Sequence, residues 1–326
     1  MAGTSPATGL GEEAVNPSFS IVFFTTASGA GFALLTLTGI AVPLGLLPSN
    51  TGFAVLTLVL AGMLAIAGLL SSTLHLGRPE RAWRAFSQWK TSWLSREGVL
   101  SVLTFVPAAV FAIGWVIFGR IGGFIGLCGF LAAVLAIGTV YCTGMIYASL
   151  KPIRQWHNRL VVPVYLALAL MSALLLLDLI VRLWARPHAI PVATLVVIGA
   201  AWWLKERYWR FIDTTAAPST VESATGLGRR GGVHMLEPPN TEENYLLKEM
   251  GFRIARKHRW RLRLIARVAG FAVPMIATAA ALCGLFPLLA ALIAVLFAAL
   301  GLVVERWLFF AEAKHTVMLY YGAETV

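Results

Sequence analysis

Charge is what this chain has least of. Asp, Glu, Lys and Arg together make up 13% of its 326 residues, where a soluble domain carries roughly 25%. That scarcity excludes an ordinary water-soluble fold. Cysteine is scarce too: Cys128, Cys142 and Cys283 are widely separated, lie in apolar segments and form no CxxC pair. The chain therefore has no signature of its own for an iron–sulfur cluster, a zinc site or a disulfide framework, and the three cysteines read as small packing residues. Histidine is missing from the middle of every apolar run, the six standing at 75, 157, 188, 234, 258 and 315. A haem held within a bilayer needs facing histidines at depth, so no haem is expected, and no metal site. The N-terminal "MAGTSPATGLGEEAVNPS" lacks a basic n-region and a twin arginine, so residues 1–18 read as an exposed polar tail rather than a cleaved signal.

What is present in excess is apolar length. Hydrophobic residues are 58% of the chain, its mean hydropathy is +0.78, and they fall in runs of about 20, the length that crosses a hydrocarbon core as helix. Eight such runs occur, at about 19–42, 52–76, 97–118, 121–148, 160–184, 188–206, 264–283 and 285–311. Helices satisfy every backbone group internally, which lipid demands. The expected fold is an all-α integral membrane protein, a bundle of eight transmembrane helices. The membrane domain covers 19–311, with an insertion at about 207–263 and a C-terminal tail at 312–326. "GLLP" at 45–48 and "GLFP" at 284–287 are too little to make an inverted repeat.

The formal charge of +11 does not point to nucleic acid, because most Lys and Arg flank apolar spans, where membrane orientation and anionic lipid account for them. With eight spans both termini share a side with "GRPERAWRAFSQWKTSWLSRE", "KPIRQWHNR" and the segment from Lys205 to Arg263, whereas the opposite turns carry little beyond Arg120 and Arg186. That asymmetry places the basic loops and both termini in the cytoplasm. Trp202, Trp203, Tyr208 and Trp209 read as an aromatic belt at that interface. Within the long loop, "NTEENYLLKEMGFRIARKHRWRLR" reads as a helix capped by Asn240, suited to lying on anionic lipid or to docking a partner.

The polar chemistry concentrates in "HLGRPERAWRAFSQWKTSWLSREG", residues 75–98. Each of its residues has an ordinary structural role. Gly77 ends the second span and His75 lies in its last turn. Ser95 caps the third span, with Glu97 in the first turn and Leu94 and Val99 as a staple. "PERAWRAF" between them suits a short interfacial helix with a Glu80–Arg84 pair. The functional reading starts from convergence: His75 and Glu97 reach one membrane face from two helix ends, and two titratable groups beside a hydrocarbon slot suit proton exchange with a quinone. Arg78 can stabilise negative charge there. Tyr141 and Tyr147 on the fourth span and Glu305 on the eighth lie toward the same face, and ionisable groups at such depth are functional candidates by default. Arg154 and His157 border this face, although a plain positive-inside loop also explains them. Asp178 and Arg182, spaced i, i+4 near the other face, read as a structural ion pair.

The segment "STLHLGRPERAW…SWLSREG", Ser72 to Gly98, resembles the signature of the dimethyl sulfoxide reductase membrane anchor (DmsC-type) family. The resemblance implies the anchor subunit of a three-subunit molybdopterin oxidoreductase. Such an anchor exchanges electrons between the quinone pool and an iron–sulfur subunit, while a separate catalytic subunit holds the molybdenum cofactor. By motif position the family's quinol-site histidine falls on His75 and its essential glutamate on Glu97. The basic residues Arg81, Arg84, Lys90, Arg154, Arg253 and Arg256 then form the expected docking face for the partner subunits. A narrower resemblance, carried by "TGLG…EPPNTEENYLLKEMGFRIARKH", is to the anchors of cytoplasmic, quinone-reducing sulfite dehydrogenases. Two other classes compete. A transporter or channel requires a polar path through the midplane with broken helices, and Pro107, Pro163 and Pro274 offer only kinks. A structural tether uses the basic loops but gives no reason for His75 beside Glu97.

Overall fold

The computed structural model describes residues 19–73, 78–215, 219–228, 232–233 and 258–320. His75, Arg253, Arg256, the N-terminal tail and the helix expected from Asn240 lie outside them. Eight helices are long and apolar enough to cross a membrane. They are α1 (Phe19–Ala41), α2 (Thr51–Ser71), α3 (Trp93–Val116), α4 (Gly123–Ala148), α5 (Val161–Val181) and α6 (Ala189–Thr214), followed after a short α7 (Val221–Thr225) by α8 (Arg259–Leu282) and α9 (Pro287–Ala311). Two 3-10 segments, Pro79–Gln88 and Thr316–Leu319, complete the order.

α1 is the most enclosed span, surrounded by α2, α4 and α5, while α8 and α9 pair with each other and α3 leans on α4. Between lipid-soluble helices association relies on close van der Waals packing rather than on hydrophobic burial, so small residues mark the crossings. A Cβ on Gly39 of α1 would collide with the Gly129 carbonyl oxygen of α4, and one on Gly301 of α9 would collide with the Gly270 backbone of α8. Gly270 sits in a π-helical turn, Val268–Ala272. The turn directly precedes Pro274, whose missing N–H cannot bond the Gly270 carbonyl, which loosens the helix at its contact with α9. Gly301→Ala is expected to force the two helices apart and to destabilise the bundle by about 1–3 kcal/mol. Thermal unfolding in detergent reads this directly, and an unchanged midpoint would contradict it.

The two ends of the bundle differ in chemistry. At one end Asp178 and Arg182 form the expected i, i+4 pair at 2.9 Å, both buried, and Arg182 also donates to the Ala281 carbonyl of α8. Trp115 donates to the Ser49 carbonyl there, tying α3 to the α1–α2 turn. The other end gathers the 79–92 connection, the 149–160 connection and the residues after α9. There Lys314 donates its backbone N–H to Gln155, Thr316 donates to the Pro152 carbonyl, and Trp156 donates to the Phe309 carbonyl. The residues after α9 are thus bound across the 149–160 connection rather than trailing from the helix.

Three boundaries differ from the sequence expectation. α3 begins at Trp93, with Ser92 rather than Ser95 as its cap, because the Ser95 hydroxyl is engaged elsewhere. α6 continues to Thr214, past the charged residues that suggested its end. α8 begins at Arg259, its first turns carrying arginines paired to α6 and to Glu312.

Candidate functional site

The 3-10 segment Pro79–Gln88 is fastened onto the start of α3. The Ser95 hydroxyl donates to the Ala85 carbonyl. Arg96 turns back to donate from Nε to the Trp89 carbonyl at 3.0 Å and from Nη2 to the Lys90 carbonyl at 2.6 Å. Its guanidinium lies 4.3 Å over the Trp93 ring, a cation–π contact. Trp83 is exposed, and Phe86 lies against Gly98 of α3. The pairing expected between Glu80 and Arg84 is replaced by an exposed Glu80–Arg81 contact at 3.9 Å, an arrangement that contributes little in solvent.

Because the cap is Ser92, Glu97 lies beyond the first turn of α3. It points into the bundle and is 3% exposed. The Thr143 hydroxyl of α4 donates to its carboxylate and also to the Thr139 carbonyl. Among the described residues no Lys, Arg or His forms an ion pair with Glu97. A carboxyl removed from water without a cation is unfavourable as an anion and suited to holding a proton.

The remaining expected site residues separate into distinct places. Tyr141 is on another face of α4, 41% exposed, with its ring edge-on to Trp93 at 6.0 Å. It lines an open cleft of about 880 Å³ between α4, α5 and α6 that also holds Arg154 and His157. Tyr147 is buried among aromatic rings, 5.3 Å from Trp156 and stacked on Tyr165 at 5.7 Å. Glu305 is fully buried in an ion pair with Lys205 of α6, with Arg306 3.7 Å away. Arg78, Arg81, Arg84 and Lys90 are exposed on the connection before α3, and the Arg154 guanidinium lies 5.1 Å over Phe211.

Over residues 14–321 the chain matches the family model described as DMSO reductase anchor subunit (DmsC). The chain belongs to the DmsC family. Among curated proteins, the C-type subunit of the sulfite dehydrogenase of Allochromatium vinosum is 33% identical, the match covering 94% of this chain and 99% of that relative. No solved structure matches the chain.

In this DmsC-family chain several buried polar groups escape sequence reasoning. Lys205 is enclosed completely, its Nζ 4.2 Å from the Tyr208 ring centroid and 5.1 Å from that of Trp209. Tyr208 and Trp209 are therefore interior residues and not members of an interfacial belt. The signal was present, since Ile198, Ala201, Lys205, Tyr208 and Trp209 recur at helical spacing, but the lysine read as the start of a loop. Arg306 lies 3.8 Å over the Tyr165 ring. Nearer the end of the bundle, Arg263 grips Asp213 with two bonds of 2.6 and 3.1 Å and Glu312 with one of 2.7 Å, while Arg267 holds Glu206 with bonds of 2.6 and 3.0 Å. Burial raises the Glu312 carboxyl above the usual carboxylate range, and the Arg263 guanidinium opposes that shift. Thr143 gives no sequence signal, because a threonine in a membrane helix ordinarily bonds only its own backbone.

Proposed function

We propose that this chain is the membrane anchor and quinone-reactive subunit of a three-subunit molybdopterin oxidoreductase that oxidises sulfite. The observation that carries the quinone reading is Glu97, a carboxyl enclosed within a span, with a hydroxyl donor and no cationic partner among the described residues. A structural carboxylate at such depth is ordinarily neutralised, as Glu305 is by Lys205. Glu97 instead retains the chemistry of a proton carrier, one turn inside the end of the bundle that holds the His75–Gly98 motif. A bound quinone supplies the two-electron, two-proton chemistry. This chain holds and passes the protons: Glu97 relays them, Thr143 orients its carboxyl, and His75, by its position in the motif, hydrogen-bonds one quinone oxygen. Arg78 adds positive charge at the mouth of the site.

The basic end of the bundle is the cytoplasmic one in this reading. An iron–sulfur subunit docks there and receives electrons from a catalytic subunit holding the molybdenum cofactor. The likeness to a sulfite dehydrogenase component across nearly the full length of both chains favours sulfite as the substrate. Proton and electron exchange share one face, so turnover moves little charge across the membrane. The test is purification of the tagged chain with its native partners, followed by assays of sulfite-dependent quinone reduction and of quinol-dependent sulfoxide reduction. Sulfite activity with molybdenum and iron–sulfur subunits present is the expected result. Sulfoxide reduction alone would overturn the substrate assignment, and a chain without either partner would overturn the complex.

A further inference from the structure

We propose that the cleft between α4, α5 and α6 is a binding site for a phosphate-bearing anion, and specifically for the headgroup of an anionic phospholipid. Three arginines, Arg154, Arg159 and Arg207, and His157 line it, and its walls include no carboxylate. None of the three arginines belongs to an ion pair among the described residues. This sets them apart from Arg182, Arg263 and Arg267, each of which meets a carboxylate at 2.6 to 2.9 Å. Two of the cleft arginines rest on aromatic faces, Arg154 on Phe211 and Arg207 on Trp203, each at 5.1 Å. Such contacts steady a guanidinium and leave its N–H groups free to donate. The His157 ring is fixed by an Nδ1 contact of 2.7 Å to the Ala148 carbonyl.

The charge selects an anion, and guanidinium groups match phosphate oxygens in pairs. The shape selects a lipid over free phosphate. The cleft of about 880 Å³ greatly exceeds a phosphate group. Along α4 its wall runs from Ala148 at the helix end through Met145 to Tyr141, about two turns deeper. Val162 continues the apolar side on α5. Arginines at the bundle end above an apolar wall reproduce the polarity of a phospholipid at the membrane surface, and basic pockets between spans take acidic headgroups. A quinone is neutral and gives three unpaired guanidiniums nothing to bind, so this site is separate from that of Glu97 and does not depend on it.

The test uses the full-length chain in its native complex, exchanged into nanodiscs containing phosphatidylglycerol or only phosphatidylcholine, then released into detergent for native mass spectrometry. Retention of one phosphatidylglycerol per chain is expected, with at least a tenfold loss in Arg154→Gln/Arg207→Gln and partial retention in Arg154→Lys/Arg207→Lys. Arg81→Gln/Arg84→Gln on the exposed connection should retain the lipid as the wild type does. Inorganic phosphate at millimolar concentration should not displace it. Equal retention by the glutamine variant, or equal retention of phosphatidylcholine, would overturn the proposal. Displacement by inorganic phosphate alone would reassign the site to a free anion, and protection only when the iron–sulfur subunit is bound would reassign the arginines to that partner. The lysine variant guards against a misfolded glutamine variant, because it retains charge at the same positions.

Discussion

Glu97→Gln is expected to lower quinone-linked turnover by at least about 100-fold while the complex still assembles, because a positioned general acid–base contributes roughly 10²–10⁴ in rate. Glutamine preserves the shape of the side chain and a carbonyl oxygen able to accept from Thr143, so the α3–α4 contact survives. It removes only the ability to gain and lose a proton. Since no cation answers Glu97 among the described residues, the substitution strands no opposite charge and stability should not fall. The measurement compares sulfite oxidation with a quinone acceptor against sulfite oxidation with an artificial dye that draws electrons from the soluble subunits. The quinone rate should collapse and the dye rate persist. More than a tenth of the wild-type quinone rate in Glu97→Gln would remove Glu97 from the site.

The second large effect is on stability and concerns Glu305. This carboxylate lies between Lys205 and Arg306, all three enclosed. Glu305→Gln leaves two buried cations facing each other without an anion between them. Removing one member of a buried ion pair costs about 3–5 kcal/mol, and a second cation beside the first adds repulsion. The variant should therefore unfold well below the wild type in a detergent melt, and quinone and dye activities should decline together as the complex fails. Adding Lys205→Met to Glu305→Gln deletes one stranded charge, so part of the loss should return, a coupling that a double-mutant cycle measures. If Glu305→Gln melts with the wild type and loses only its quinone rate, Glu305 serves the quinone site instead of the fold.

Glu97 and Glu305 show where sequence reasoning reaches its limit. Both are lone acids near the ends of apolar runs, and both read as candidates for the same slot. Sequence position states how deep each lies and says nothing of what lies opposite. The cation facing Glu305 comes from a residue 100 positions away in the chain. The hydroxyl facing Glu97 comes from a neighbouring helix, 46 positions away. A shift of α3 by one residue would turn Glu97 by about 100° and out of that contact. Which serine caps the helix, Ser92 and not Ser95, therefore matters more to the site than the fact that one does.

By itself the sequence determined the class of molecule, the number of spans and the end of the bundle that carries the basic loops. Each of these follows from the length and flanking charge of apolar runs, properties that belong to one segment at a time. It also determined the Asp178–Arg182 pair, because i, i+4 geometry is local. Only the tertiary structure decided which ionisable groups are neutralised and which are not. Lys205 became the counterion of Glu305, Arg263 joined Asp213 to Glu312, and three arginines of the cleft were left without carboxylates. Those pairings depend on rotation and crossing of helices, which small residues such as Gly39, Gly129, Gly270 and Gly301 allow at near backbone contact. Hydropathy is blind to rotation about a helix axis, and that rotation separates a buried proton carrier from a structural ion pair.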